Sequence, residues 1–235
     1  MNYTFHWRQA FQALPDMLGG ALVTIEIAVL SMVIGVACAV ALALARNLKV
    51  PANAAGRGIV RQWSYPLARG FATAWIETAR NTPSLFQIYM IYFGLGSLGI
   101  FVDSFPALLA GISFNNAGYL AETLRGGLRA IPPTQMRAAR SLGMSAPQAF
   151  RLIVLPQLFR TVFHPMTNQM VWAILMTSLG VVVGLNSDLT GVTNGYNVRT
   201  FRTFEFFVMA AVIYYLITKV VTLSARLVAS RLFRY

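Results

Sequence analysis

The sequence is poor in charged residues and in cysteine. Only 11% of its residues are charged, against about 25% in an ordinary soluble domain. The single cysteine, Cys38, lies in an apolar run, which excludes an intrachain disulfide and a cysteine-rich metal site. The two histidines, His6 and His164, are isolated from each other and from any cluster of metal ligands, so no metal site is predicted.

Nucleotide-binding and catalytic motifs are also missing from the sequence. It contains no GxxxxGK[ST] loop, so the chain is not expected to hydrolyse ATP or to hold a cofactor itself. Residues 94–99 spell GxGxxG, but no βαβ pattern surrounds them, and we interpret them as a turn. No paired acid and base and no nucleophile motif is found, so an enzyme is not expected.

Hydrophobic residues, in contrast, make up 57% of the chain. Several stretches approach the roughly 20 apolar residues that cross a bilayer. The composition predicts an all-α integral membrane protein, a single transmembrane domain over residues 1–235 with about five transmembrane helices. Trp7 and Phe11 precede the first of them and predict a short helix at the membrane interface. The predicted spans cover about 21–45, 70–95, 105–120, 159–185 and 206–227.

The net charge of +12 is interpreted as a topology signal and not as a nucleic-acid footprint. Fourteen Lys and Arg fall on one side of the predicted spans and three on the other. Because cytoplasmic loops are enriched in basic residues, this predicts a cytoplasmic C-terminus and an N-terminus outside. The first group is Arg46, Lys49, Arg57, Arg61, Arg69, Arg125, Arg129, Arg137, Arg140, Arg151, Arg160, Arg226, Arg231 and Arg234, and the second is Arg8, Arg199 and Arg202.

The segment of about 124–156, between the third and fourth spans, is predicted to form a helical elbow in the cytoplasm. Pro132-Pro133 ends the preceding helix, and Thr134 is expected to cap a new one. Gly143 ends or kinks that helix, and Ser145 begins another. Two short helices at an angle, carrying small and apolar side chains, favour a docking surface for a partner.

The elbow resembles the EAA loop of ATP-binding-cassette importer permeases. The matching residues are Ala138-Ala139, Gly143, Ile153 and Leu155-Pro156, at the spacing of that loop. Together with segments elsewhere, the resemblance covers roughly residues 77–190. Segments that resemble the polar amino-acid branch of the family are Glu77–Pro83, Gln87–Leu95, Tyr119–Gly127, Thr177–Leu179, Gly184–Leu185 and Asp188–Thr190.

The resemblance implies a permease subunit that imports a polar amino acid across a bacterial inner membrane. It further implies that the elbow docks a cytoplasmic ATPase dimer, in which ATP and Mg drive transport. A second permease subunit, identical or a sister, completes the pore, and an extracytoplasmic binding protein delivers the cargo. The alternatives are a stand-alone ion-coupled secondary transporter or a non-catalytic membrane scaffold, although five spans without a repeat argue against the former.

The sequence departs from the family pattern at two places. Arg137 stands where the family usually has the Glu of the EAA signature, which implies a lost or inverted charge contact with the ATPase. Leu175-Met176 stands where the family often has a charged or amide pair. We therefore expect a charged cargo side chain to be recognised by the sister subunit or the binding protein.

Glu77 and Arg80 are candidate pathway residues in the second span. They are three residues apart and therefore neighbours on one helical face. Ionisable groups in a membrane span tend to pair or to mark a pathway. The two alternatives are a mutual ion pair and a pore-lining or gating role, and Pro83 is expected to kink the same helix.

Uncharged polar residues are the remaining candidates for the pathway. Asn115 and Asn116 lie in the third span, Asn168 and Gln169 in the fourth, and Thr177-Ser178 near the outer end of the fourth. Amides in hydrocarbon must be satisfied by another helix or by a water-filled cavity. For the amides, interhelical hydrogen bonds and contact with cargo are therefore both open interpretations. For the two hydroxyls, the alternatives are contact with cargo and a hydrogen bond within their own helix.

Overall fold

The computed structural model describes residues 4–47 and 59–233, and for residues 59–63 the backbone alone. Within these ranges all regular secondary structure is helical. Of the basic residues used to predict the topology, Lys49 and Arg57 lie in the interval between these ranges and Arg234 lies after the second, so all three are outside the described residues. The helices are α1 Trp7–Gln12, α2 Leu14–Arg46, α3 Ile59–Asn81, α4 Ser84–Tyr89, α5 Leu95–Ser97, α6 Ser104–Ala130, α7 Pro133–Ser141, α8 Ala146–Ala149, α9 Leu155–Met176, α10 Leu189–Thr200 and α11 Thr203–Leu232.

Three helical segments of the described chain are long and apolar enough to cross a membrane: Leu14–Arg46, Ala146–Val183 and Thr203–Leu232. The first and third contain the predicted first and fifth spans with additional residues at both ends; the second begins well before the predicted fourth span and ends at Val183, two residues before the predicted end. The predicted third span lies within α6, which continues as far as Ala130. The number of five spans remains a prediction.

The predicted second span is two helices and not one. α3 ends at Asn81 and α4 begins at Ser84, with Pro83 between them in an extended conformation (φ −62°, ψ 136°). Proline has no backbone N–H and disfavours a helical conformation at the residue before it, which explains the break. After α4 the chain continues through a π-helical turn, Met90–Gly94.

α6 is the central helix and packs along α2, with α3, α4 and α9 around it. Close approach depends on glycine: a Cβ added to Gly35 of α2 would lie 2.6 Å from the Cβ of Asn116. Small residues at such crossings allow helix backbones to approach within a membrane. The contact brings the polar residues of α6 against those of α2.

The elbow is confirmed in outline, with two corrections. α7 begins at Pro133, and Pro132 is its N-cap, so Thr134 does not cap it as predicted; proline is well suited to the first helical turn. Gly143 follows with φ +85°. Ser145 then caps α8 in a reciprocal pair with Gln148.

The second helix of the elbow is longer than predicted. α8 continues without interruption through a π-helical turn, Phe150–Val154, into α9. The elbow is therefore one short helix, α7, folded back beside the N-terminal extension of the fourth span. Its position is tied directly to a helix that crosses the membrane.

Candidate functional site

A cavity of about 300 Å³ lies where the break between α3 and α4 meets α6 and α9. All of its lining residues are uncharged, and most carry a hydroxyl, an amide or an aromatic ring. Such groups can replace water around a polar solute without requiring a counter-charge. The lining residues are Thr82, Pro83, Ser84, Asn115, Tyr119, Gln169, Trp172 and Met176.

Two amide side chains hold the broken helix in place. Gln87 Nε2 donates to the carbonyl oxygens of Ala79 and Thr82, both at 3.0 Å, and to Thr82 Oγ1 at 2.9 Å. Asn115 Nδ2 donates to the Ala79 oxygen and to Gln87 Oε1, both at 3.1 Å. These bonds satisfy buried groups that the break leaves without helical partners. Asn115 is therefore both an interhelical contact and part of the cavity wall.

Asn116 links three helices on the other side of α6. Its Nδ2 donates to Ser31 Oγ of α2 at 3.2 Å, and its Oδ1 accepts from Gln169 Nε2 of α9 at 2.8 Å. Asn116 is fully buried, whereas Asn168 is exposed. The interhelical interpretation therefore holds for Asn116, while Gln169 also lines the cavity.

Thr177 and Ser178 lie next to the cavity but do not line it. Thr177 Oγ1 donates to the Ile174 carbonyl at 2.8 Å, and Ser178 Oγ donates to the Leu175 carbonyl at 2.7 Å. Both therefore satisfy their hydroxyl protons within their own helical segment. A contact of either residue with cargo stays a prediction.

Charged residues of α2, α3 and α6 form a cluster around Glu122. Arg125 Nε donates to both Glu122 oxygens at 3.0 Å, and Arg46 is hydrogen-bonded to the same carboxylate. Arg80 lies 3.8 Å from Glu122, and Glu77 lies 3.7 Å from Arg46. Of the two alternatives for Glu77 and Arg80, the mutual ion pair is therefore wrong: each has a different partner, because α2 and α6 bring further charges to this end of α3. Their role in the pathway stays a prediction.

The charged cluster is joined to the cavity through Tyr119. The Tyr119 ring lies 5.9 Å from the guanidinium carbon of Arg80, and its hydroxyl donates to the Arg80 carbonyl at 3.5 Å. Tyr119 also lines the cavity. A movement of α3 relative to α6 would thus change the cluster and the cavity wall together.

The elbow presents a mixed apolar and basic surface. Arg137, Ala138 and Gly143 are exposed, and Leu142 beside them is 84% exposed. Ala139 is buried at 2% exposure, so the predicted small face consists of Ala138 without Ala139. Of the later loop residues, Pro156 is exposed, while Ile153 and Leu155 are half-buried.

Residues 55–234 match the family described as "Binding-protein-dependent transport system inner membrane component". The match covers more than half of the chain. The chain belongs to this permease family.

Relatives and solved structures agree with the assignment. The permease is 31% identical over 226 residues to the octopine transport system permease protein of Rhizobium radiobacter. This alignment covers 92% of the permease and 84% of the relative. It is 30% identical over 230 residues to the glutamine transport system permease protein of Escherichia coli, covering 97% and 98%. A chain in the crystal structure of an amino acid ABC transporter with histidines superposes with a TM-score of 0.85 at 27% identity, covering 97% of the permease and 100% of that chain.

Family membership confirms the resemblance seen in the sequence and the all-helical membrane fold. The permease is a multi-pass inner-membrane component of an ATP-binding-cassette importer, which works with an ATPase and a binding protein. It is not the stand-alone transporter or scaffold that the sequence left as alternatives, and the ATPase belongs to another chain of the importer.

Sequence reasoning missed several residues of the site. Gln87 was recognised only as part of a matching segment, and the lining residues Thr82, Ser84 and Trp172 were not singled out. One available signal was Pro83, since carbonyls freed by a helix break need donors, and Gln87 lies four residues further on. Tyr119 had no comparable signal, because its contact with the cavity depends on the packing of α6.

Proposed function

We propose that the permease carries a polar amino acid without net side-chain charge through the cavity beside the Pro83 break. The uncharged lining of that cavity is the observation on which the proposal rests. Two relatives are named as permeases for octopine and for glutamine, and these names support an amino-acid cargo.

Hydrogen-bonding capacity makes the cavity suitable for a zwitterion. Each neutral hydrogen bond contributes on the order of 1 kcal/mol net, so a few bonds compensate part of the lost hydration without trapping the cargo. A charged cargo side chain would find no counter-charge among the lining residues and would be costly to dehydrate. We infer that such a charge is recognised by the sister subunit or the binding protein.

The elbow is the proposed docking site for the ATPase dimer, where ATP and Mg supply the energy. Leu142, Ala138 and Arg137 provide an exposed apolar and basic surface at the tip. The continuous helix from α8 through α9 reaches Met176 in the cavity wall. A displacement of the elbow by the ATPase would be transmitted along that helix to the cavity.

We also infer the assembly and orientation of the permease. A second permease subunit, identical or a sister, would close the cavity on its open side. The basic residues of the elbow and of α11 support a cytoplasmic elbow and C-terminus, with the N-terminus and α10 outside. The binding protein would then approach the end that contains α10.

Transport by the reconstituted importer with each candidate amino acid tests the proposal. Ser84→Ala removes one hydroxyl from the cavity and should raise the half-saturating concentration of binding-protein-delivered cargo by about fivefold, the equivalent of one net hydrogen bond. Ser97→Ala is a matched control, because Ser97 is exposed and bonded only to the Gly94 carbonyl. Equal kinetics of the two variants, at equal amounts of complex, would remove the cavity from the pathway.

A further inference from the structure

The amide groups in the cavity beside the Pro83 break have a defined orientation. Gln169 and Asn115 both line that cavity, and an amide can offer a solute either its donor nitrogen or its acceptor oxygen. The hydrogen bonds around each amide decide between the two. We propose that both residues present their oxygens and bind the α-ammonium group of an amino acid, an assignment that rests on the proposed function of the cavity.

A chain of hydrogen bonds fixes the amide of Gln169. Ser31 Oγ donates its only proton to the Ala28 carbonyl at 2.9 Å, so towards Asn116 Nδ2, at 3.2 Å, it can only accept. Asn116 therefore turns its Oδ1 to α9, where Gln169 Nε2 donates to it at 2.8 Å. The oxygen on the other side of that amide, Gln169 Oε1, accepts no hydrogen bond from the described part of the chain.

Asn115 is oriented in the same sense by the broken helix. Its Nδ2 has two protons and makes two bonds, to the Ala79 carbonyl and to Gln87 Oε1, both at 3.1 Å. The Gln87 amide is not reversed, since its own nitrogen donates to the Ala79 and Thr82 carbonyls. Asn115 Oδ1 is therefore left as an acceptor without a partner among the described residues.

Both of these oxygens open into the cavity. Among the described residues that are not themselves exposed, Ser113 Oγ is the one side-chain polar atom that is buried without a hydrogen-bond partner. The unpaired oxygens of Asn115 and Gln169 are therefore accessible, although Asn115 as a whole is only 6% exposed. They lie at the same level of α6, because Gln169 is bonded to Asn116, the residue next to Asn115.

Two acceptor oxygens are complementary to an ammonium group, which has three donors and no acceptor. Hydrogen bonds to an ionised donor are roughly twice as strong as those between neutral groups. A carboxylate can only accept hydrogen bonds, so it would be repelled by the same two oxygens. The lining formed by the described residues contains no acidic side chain, so the ammonium group is bound without the stronger attraction of an ion pair.

The cavity also offers donors for the α-carboxylate. Ser84 Oγ and Trp172 Nε1 line it and make no hydrogen bond within the described chain, whereas the Thr82 hydroxyl proton is donated to the Thr78 carbonyl at 2.8 Å. Trp172 lies three residues after Gln169, about 4.5 Å further along α9. A cavity of about 300 Å³ is at the small end of ligand pockets, so a zwitterion inside it contacts both the acceptors and the donors.

The experiment combines changes in the permease with changes in the cargo. The importer in nanodiscs, without the binding protein, is titrated with each of the common amino acids, and binding is followed by saturation-transfer NMR. The amino acid that binds most tightly is then compared with two analogues. Its deamino acid lacks the ammonium group, and its decarboxylated amine lacks the carboxylate.

Gln169→Met keeps the size of the side chain and removes the oxygen. A hydrogen bond to a charged group contributes on the order of tenfold in affinity, so the amino acid and the amine should each bind about tenfold more weakly. The deamino acid should bind as it does to the parent. A purely structural role, through the lost bond to Asn116, would instead weaken all three probes alike.

The matched control is Asn168→Leu, which also replaces an amide by an apolar side chain. Asn168 is the exposed neighbour of Gln169 and does not line the cavity, so all three probes should bind to this variant as to the parent. Ser84→Ala should give the opposite pattern to Gln169→Met. It should weaken the amino acid and the deamino acid by about fivefold and leave the amine unchanged.

Gln169→Glu returns an oxygen to the cavity and adds a negative charge. The hydrogen bonds behind it can reverse, so that Asn116 Nδ2 donates to the new carboxylate and Ser31 Oγ donates to Asn116 Oδ1. The amine should bind to this variant about tenfold more tightly than to the parent, and the deamino acid about tenfold more weakly.

Two patterns would overturn the proposal and leave the proposed function intact. If Gln169→Met weakens all three probes equally, or none of them, Gln169 is a packing residue. If it weakens only the amino acid and the deamino acid, the amide nitrogen faces the cavity and binds the carboxylate. Failure of every amino acid to bind to the parent would contradict the proposed function itself.

Discussion

Gln87 gains its importance from its position beside the Pro83 break. Its amide nitrogen reaches three oxygen atoms of the broken segment, and its amide oxygen accepts from Asn115. An apolar side chain of similar size would fill the same space and leave the Thr82 carbonyl without this donor, while the Ala79 carbonyl would keep only its bond from Asn115. The residue therefore positions the cavity wall without lining the cavity itself.

We predict that Gln87→Leu lowers the stability of the complex and weakens cargo recognition. A buried polar group left without a partner costs about 1–3 kcal/mol, and the Thr82 carbonyl would lose the donor that Gln87 supplies. The measurements are the melting temperature in detergent and the half-saturating cargo concentration. Gln12→Leu makes the same chemical change on exposed α1 and should leave both near the parent values; an unchanged Gln87→Leu variant would contradict the positioning role.

Asp188 caps α10 from a fully buried position at the start of that helix. Its carboxylate accepts from the backbone N–H groups of Thr190 and Gly191. Burial raises the pKa of Asp188 to about 6, in spite of those hydrogen bonds. Since the folded state then holds the proton more tightly than the unfolded state, this residue's contribution to stability falls as pH rises from about 4 to about 6 and stays low above that range.

We predict that Asp188→Asn stabilises the complex at neutral pH. Asn caps a helix about as well as Asp and carries no charge that must be buried. The size of the pKa shift of Asp188 sets the largest gain in the free energy of unfolding at about 3 kcal/mol. Melting temperatures at about pH 4 and about pH 7 should show the gain only at the higher pH. Asp103→Asn, at an exposed N-cap without a side-chain bond, is the control. A gain of equal size at both pH values would contradict the ionisation argument.

At the scale of the element, the elbow owes its shape to the ends of its helices. Pro132-Pro133 separates α6 from α7, Gly143 reverses the chain, and the Ser145 capping box begins α8. Arg140 also donates to the Met144 carbonyl at 2.8 Å and closes the turn. These local features place Leu142 at the tip, where the ATPase is proposed to dock.

We predict that Gly143→Trp uncouples or detaches the ATPase while the permease still inserts into the membrane. No atom lies within 4 Å of an added Cβ at Gly143, so within this chain the variant bears only the cost of the left-handed backbone, roughly 1–2 kcal/mol. Transport-coupled ATP hydrolysis and co-purification of the ATPase are the measurements.

Gly99→Trp is the matched control for the elbow variant. Gly99 has φ +82° and equally open space, but it lies in the turn between α5 and α6. It should retain ATP hydrolysis and ATPase association. If both variants behave alike, the effect belongs to backbone strain, and the elbow is not the docking site.

At the scale of the whole molecule, the polar residues divide the bundle into distinct regions. Uncharged polar residues line the cavity beside the Pro83 break, and the charges of α2, α3 and α6 gather around Glu122 next to it. This arrangement places the elbow and the charged cluster towards the same end of the molecule.

We predict that this end is cytoplasmic. In a variant with Cys38 replaced by Ser, Val198→Cys on exposed α10 should react with membrane-impermeant reagents in intact cells. Leu142→Cys, at the tip of the elbow, should react only with permeant reagents or after permeabilisation. Labelling in the reverse pattern would overturn the predicted orientation.

The sequence by itself determined the features that depend on neighbouring residues. The apolar run of α2, the stop at Pro132-Pro133 and the turn at Gly143 follow from hydropathy, from the missing proline N–H and from the freedom of glycine at positive φ. The permease family was recognisable from the elbow for the same reason, since its matching residues lie close together in the chain.

Tertiary structure alone decided which distant side chains meet. Glu77 pairs with Arg46 and not with Arg80, because α2 crosses α3 at that level. Asn115 reaches Gln87 only because α6 packs across the Pro83 break. Hydrogen bonds and ion pairs require atoms within a few ångströms, and that proximity is set by helix packing, which no local pattern encodes.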